Sequence, residues 1–204
     1  MKNLVPYGAL LILLVFAGCK GQTGTLLHPG SKQLSGSHSA GQEVYKPLVD
    51  EAVGRLLAAA GGAGNKRICF VGVENYSAEE LTDYRDELYE MIDQAIMHSG
   101  QFTSVSRRYV TPAIRENRFR MDDLFLPENQ RKLQASLEKA GQPFEYLLFA
   151  KLTSGTTQSN RDKQRDYRLS LELIHLSDGT SVKESCELSK AYNVSLGAKM
   201  RNGH

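Results

Sequence analysis

No stretch of the 204 residues is apolar for long enough to stay in a bilayer: the run Leu10–Phe16 falls far short of the about 20 residues that a spanning helix needs. No sign of charge dominates either. A net charge of +2 with 24% charged residues is too balanced for a chain that lives on nucleic-acid phosphates. Histidine is scarce and scattered. His28 and His38 lie in a polar N-terminal stretch, His204 ends the chain, and His98 and His175 close a predicted helix and strand. No pair has the spacing of a helical zinc site. No serine stands in a nucleophile elbow, and neither Cys69 nor Cys186 is sited like an activated thiol. The one glycine-rich cluster, Gly61–Lys66, follows a predicted helix and precedes a predicted strand, the reverse of a phosphate loop, whose N–H groups open a helix. These absences lead us to expect no catalytic residue, no metal and no cofactor.

What is present begins with three N-terminal zones: Lys2, the apolar run, and the small pair Ala17-Gly18 before Cys19. That order is the layout of an export signal removed from the mature chain, here residues 1–18. Val15-Phe16-Ala17-Gly18-Cys19 resembles a bacterial lipobox, in which the cysteine thiol is acylated and becomes the new N-terminus. The resemblance implies a lipid on Cys19. Lys20 rather than aspartate after it favours the outer membrane, with the protein facing the periplasm. From Lys20 to Gln42 the residues are mostly Gly, Ser, Gln, Thr, His and Lys, so residues 19–42 are expected to be a flexible tether. Its r.m.s. reach would be about 25–30 Å.

Roughly 150 residues then remain, the common size of one domain. Residues 43–190 are expected to form it, and 191–204, which show no sustained periodicity, a flexible tail. Val44, Leu48, Val49, Ala52, Val53, Leu56 and Leu57 recur at helical spacing over Glu43–Ala60. Arg67–Val73 reads as a buried strand. Ser77 and Glu80 have capping-box spacing ahead of a helix that carries Leu81, Tyr84, Leu88, Met91, Ile92, Ala95 and Ile96 up to His98. Its opposite row, Glu79, Asp83, Asp86, Glu87 and Glu90, reads as a solvated face. Phe102–Ser106 is a short strand, Pro112–Arg118 a short helix, Met121–Leu126 a loop, and Pro127 opens a helix that carries Leu133, Leu137 and Ala140 before Gly141 ends it. Phe144–Leu152 is nearly continuous in apolar residues, as a central strand is. Tyr167, Leu169, Leu171 and Leu173 alternate with polar residues, Asp178-Gly179 offers a tight turn, and Val182–Leu188 returns as the second strand of a C-terminal β-hairpin. The expected class is α/β (α+β): a small mixed sheet backed by helices. Cys69 and Cys186 could bridge, but burial propensity favours two separate thiols.

Arg107, Arg108, Arg115, Arg118, Arg120, Arg131 and Lys132 concentrate positive charge, interleaved with Tyr109, Phe119 and Phe125. Arginine and aromatic residues are enriched at contacts, which makes Arg107, Arg108, Arg115, Arg118, Phe119 and Arg120 a candidate partner surface.

Several segments in order are similar to the LpoB family of outer-membrane lipoproteins: Phe70-Val71-Gly72-Val73-Glu74-Asn75, Ser99-Gly100-Gln101-Phe102-Thr103-Ser104-Val105, Tyr146-Leu147-Leu148-Phe149-Ala150, and the hairpin Tyr167–Lys190. The resemblance runs from about Val44 to Lys190. It implies a domain like the N-terminal domain of TolB and a noncatalytic protein that binds and activates a bifunctional penicillin-binding protein, a peptidoglycan synthase. Contact with peptidoglycan and a membrane hold through Cys19 would accompany that role; nucleic acid would not. The competing reading is a structural accessory lipoprotein of an outer-membrane secretion or assembly complex.

Overall fold

Apolar side chains that alternate along strands and recur every three to four residues along helices must be buried together, and the computed structural model shows where. It describes residues 24–26, 40–61, 66–78, 84–159 and 162–193. Cys19, the signal segment, His28, His38, Gly62–Asn65, Glu79–Asp83 and His204 lie outside the described residues.

In chain order the elements are β1 (Gly24–Leu26), α1 (Gln42–Ala59), β2 (Lys66–Tyr76), α2 (Tyr84–His98), β3 (Phe102–Ser104) and α3 (Arg107–Glu116). A 3-10 turn (Asp122–Phe125), α4 (Pro127–Lys139), β4 (Tyr146–Ser159), β5 (Asp162–His175) and β6 (Ser181–Asn193) follow. The six strands form one sheet in the order β1-β6-β5-β4-β2-β3. β2 runs parallel to both β3 and β4, while β4, β5, β6 and β1 alternate in direction. The mixed sheet expected from the sequence is therefore present.

Each face has its own core. α1 lays Val44, Leu48, Ala52 and Leu56 against Phe70, Leu148, Leu169 and Leu171, and Ile92 and Ile96 of α2 join the same cluster. The opposite face of β2 and β4 offers Cys69, Leu147 and Phe149 to Val110 of α3, Leu124 of the turn, and Leu133 and Leu137 of α4. β4 is covered on both sides along its first half, which explains its unbroken apolar run. Cys69 and Cys186 are buried and free, in opposite clusters and on strands that β4 and β5 separate. Three strand spacings put about 14 Å between them, twice the Cα separation a disulfide allows.

β4 and β5 run longer than their apolar residues announce, and four further elements differ from expectation. Gly24–Leu26, inside the stretch read as unstructured, pairs with Tyr192–Lys190 of β6. Edge pairing uses backbone groups, so composition carried no warning of it. β6 likewise continues to Asn193, past Lys190. α3 starts at Arg107 rather than Pro112, because Val105 is pinned by its N–H to the Ile68 carbonyl (2.8 Å) and Val110 and Ala113 then fall on the buried side. Pro112 sits on the exposed side of that helix, where a missing N–H costs least. Met121–Leu126, expected to be loop, holds the 3-10 turn that buries Leu124.

Asp178-Gly179 forms the tight turn that the sequence predicts. Gly179 has φ 71°, and the Asp178 carboxylate accepts from the Thr180 N–H at 2.9 Å and hydroxyl at 2.7 Å. Those bonds, with His175 beside them, bring the Asp178 carboxyl down to about 2.

Candidate functional site

The site begins with one irregular residue. β2 and β4 pair Phe70 with Leu148 and then Gly72 with Phe149, so Val71 is an extra residue in β2. A bulge of one residue reverses which face every later side chain takes. Ile68 and Phe70 point at α1 and α2, and so does Val73 beyond the bulge. Glu74 and Tyr76 consequently emerge on the other face, level with Lys151 and Thr153 of β4. Gly72 carries the bulge with φ 146°, and a side chain there would meet Met121 Cε at 2.9 Å.

Helices α3 and α4 cover only part of this second face. Next to them a groove of about 350 Å³ lies open along β2, β4, β5 and β6, lined by Tyr76, Phe125, Phe149, Lys151, Arg168 and Lys183 among others. Phe125, from the 3-10 turn, stacks on Phe149 with centroids 4.4 Å apart and is itself 44% exposed. Tyr76 is 57% exposed, and the Lys151 ammonium lies 4.3 Å from its ring centroid. Leu126, 52% exposed, follows Phe125. Two of the four large exposed apolar side chains among the described residues, Tyr76 and Phe125, thus line one groove. Cross-strand pairs span its floor, Arg168 to Glu187 at 2.7 Å and Lys183 to Glu172 at 3.1 Å. Glu74 titrates above its ordinary value because of burial first and of the neighbouring Asp122 carboxylate second, with Lys151 opposing both.

The arginines of the sequence patch part company. Arg107 turns inward: its guanidinium meets Asp86 at 2.6 Å and stacks 4.6 Å from the Tyr89 ring centroid. Tyr89 in turn stacks on Phe70 and donates to its carbonyl at 3.1 Å. Asp86 is held below its ordinary value by that arginine. Phe119 packs against the core beneath α3. Arg108 lies along the Tyr109 ring, while Arg115, Arg118 and Arg120 are exposed. Among the described residues no carboxylate side chain forms an ion pair with those last three. Arg118, with φ 57°, ends α3, and Arg120 donates its N–H to Asp123 of the turn that presents Phe125. The exposed part of the patch is therefore joined through Arg120 to the turn that carries Phe125. Sequence reasoning missed Tyr76, which only the bulge brings to this face, and Lys151, whose alternation with Leu147 and Phe149 is masked by the nearly continuous apolar run of β4.

Chemically the groove offers stacking surfaces, cations and a carboxyl pair, which suits binding. Among the described residues no group of three or more His, Cys, Asp or Glu side chains is arranged to hold a metal. No described helix is long and apolar enough to cross a membrane.

No curated protein sequence matches the chain. Among solved structures it is similar to the LpoB C-terminal domain from Salmonella enterica, at 19% identity and a TM-score of 0.50 over 70% of this chain and 98% of that one. The LpoB C-terminal domain from Escherichia coli is alike at 18% identity and TM-score 0.50, covering 72% and 97%. The NMR structure of E. coli LpoB gives 14% identity and TM-score 0.52 over 94% and 91%. At such identities these likenesses speak for the fold. The family profile described as peptidoglycan-synthase activator LpoB matches residues 40–184, from the start of α1 into β6. With that match spanning well over half its length, the chain belongs to the LpoB family.

Proposed function

We propose that this chain is a lipid-anchored, noncatalytic envelope protein that docks on a bifunctional penicillin-binding protein and activates its peptidoglycan synthesis. The observation that carries the reading is the family match over residues 40–184. In this proposal Cys19 bears the lipid, the outer membrane holds it, and the body of the domain faces the periplasm and the cell wall. The partner lies against the open groove, with Tyr76 and Phe125 as anchors and Arg108, Arg115, Arg118 and Arg120 as a cationic flank. Aromatic and arginine side chains next to an exposed apolar strip are the composition of binding hot spots. Activation then requires only that the bound protein favour the active conformation of the synthase.

The test uses the full-length protein in detergent with a purified bifunctional penicillin-binding protein. Binding, and faster glycan polymerisation or crosslinking, are expected; a synthase that neither binds nor changes rate ends the activator reading. Tyr76→Ala removes an exposed side chain with no core role. It should weaken binding by about tenfold or more while leaving the melting midpoint in place. Unchanged affinity would move the interface away from the groove.

A further inference from the structure

The most unexpected element is β1. Gly24, Thr25 and Leu26 pair antiparallel with Tyr192, Ala191 and Lys190, closing the outer edge of the sheet at the end of β6. Gly24 lies only five positions after Cys19, whereas Gly41, at the start of α1, lies twenty-two positions after it. The two attachment points give very different leashes. Measured from Gly24 the chain spans at most about 18 Å; measured from Gly41 it spans about 75 Å when taut and about 25 Å r.m.s. when slack.

The same corner of the fold is built as a clasp. Lys190 is fully buried and its ammonium donates to Glu43 Oε1 at 2.9 Å, tying β6 to the first turn of α1 beside the strand that receives β1. Lys190 is also the residue opposite Leu26. The acceptor edge is thus held from within, while β1 adds to it along three paired residues. A three-residue strand at the end of a sheet can leave while the other five strands stay paired.

We propose that β1 is a releasable strap that sets how far the domain reaches from its anchor: docked on β6 it holds the domain at the membrane surface, and undocked it lets the domain search several times farther. The inference rests on the reading of Cys19 as the lipid anchor. The occupant of the β6 edge is this chain's own Gly24–Leu26 segment, and its release lengthens the leash without any change in the folded body.

Thr25 and Ala191 face each other across the pair, at a separation that a disulfide fits. In the full-length protein, T25C/A191C should crosslink under mild oxidation, read by mass on intact protein. For reach, a dye on Ser177→Cys, at the far end of β6, is paired with an acceptor lipid in vesicles that carry the lipidated protein. The double variant Thr25→Pro/Leu26→Pro removes whichever N–H faces β6 and should lower energy transfer, and the oxidised T25C/A191C protein should raise it or leave it at the wild-type level. Equal transfer in wild type, double-proline and locked proteins overturns the strap, as does failure of the cysteine pair to crosslink. An intact mass without lipid on Cys19 removes the anchor, and the strap with it. The crosslink, which needs no lipid, then still reports whether β1 pairs, so the two failures are told apart.

Discussion

Glu74 and Glu43 show how single carboxylates report on the two ends of the molecule. Glu74 is disfavoured as an anion by burial and by Asp122, so its raised folded pKa contributes stability below the unfolded value of 4.5 and loses it as pH rises. Glu74→Gln is therefore expected to raise the melting midpoint at pH 7, and the gain should close by about pH 4. A midpoint unchanged at pH 7 would mean that the groove is wetter than its lining suggests. Glu43 behaves oppositely. Burial works against its charge, yet the hydrogen bond from Lys190, the N-terminal backbone of α1 and the lysine charge bring it below 4.5. Its contribution is present above the unfolded value and lost as pH falls through the lower folded one. Glu43→Ala should cost about 1.5–3 kcal/mol at neutral pH, the worth of a hydrogen bond to a charged group, and less in acid. Urea titrations at pH 7 and pH 3 measure both effects.

At the scale of elements the β2 bulge decides most. Gly72→Ala should destabilise the protein by about 1–3 kcal/mol, since φ 146° is closed to alanine and Met121 must give way. If denaturation shows no loss, the bulge must have shifted, and Tyr76 should then no longer serve as an anchor. The bulge also marks the limit of what the sequence discloses. α1, the described part of α2, α4, the first half of β4 and the β5–β6 hairpin were legible because each buries one face or both, leaving a period of 3.6, a period of two, or a solid apolar run. The outer halves of β4 and β5 were not, because Ser154, Thr156, Thr157, Gln164 and Arg165 are polar and leave no apolar alternation to read. The arginine patch was half legible: charge density is visible in a linear chain, but whether a guanidinium turns toward Asp86 and Tyr89, as Arg107 does, depends on a helix packed from elsewhere. The groove was hidden altogether, since it depends on parity after an inserted residue and on how far α3 and α4 extend over the sheet.

For the whole molecule, the two-faced sheet gives a stability that neither thiol supports through a bridge. Cys69 sits deep in one core, its thiol pushed up by burial, and Cys186 is raised to about 11 by burial and by Glu51. Both thiols are therefore poor nucleophiles at neutral pH. The sheet order carries a further consequence. Its middle is made of β4 and β5, which pair with each other along fourteen residues, while the parallel partner β2 lies far upstream. A chain delivered N-terminus first, whether from the ribosome or through a membrane, therefore presents α1, β2, α2 and α3 with nothing to close them upon. Both cores wait for the last third of the sequence. A chain ending at Ser159 is expected to show no cooperative unfolding transition, as read by near-ultraviolet circular dichroism against temperature; a sharp transition would mean that the part before β5 folds alone. Delivery in that order keeps the polypeptide extended until its final strands arrive, and the step that completes the sheet is also the one that first creates the β6 edge.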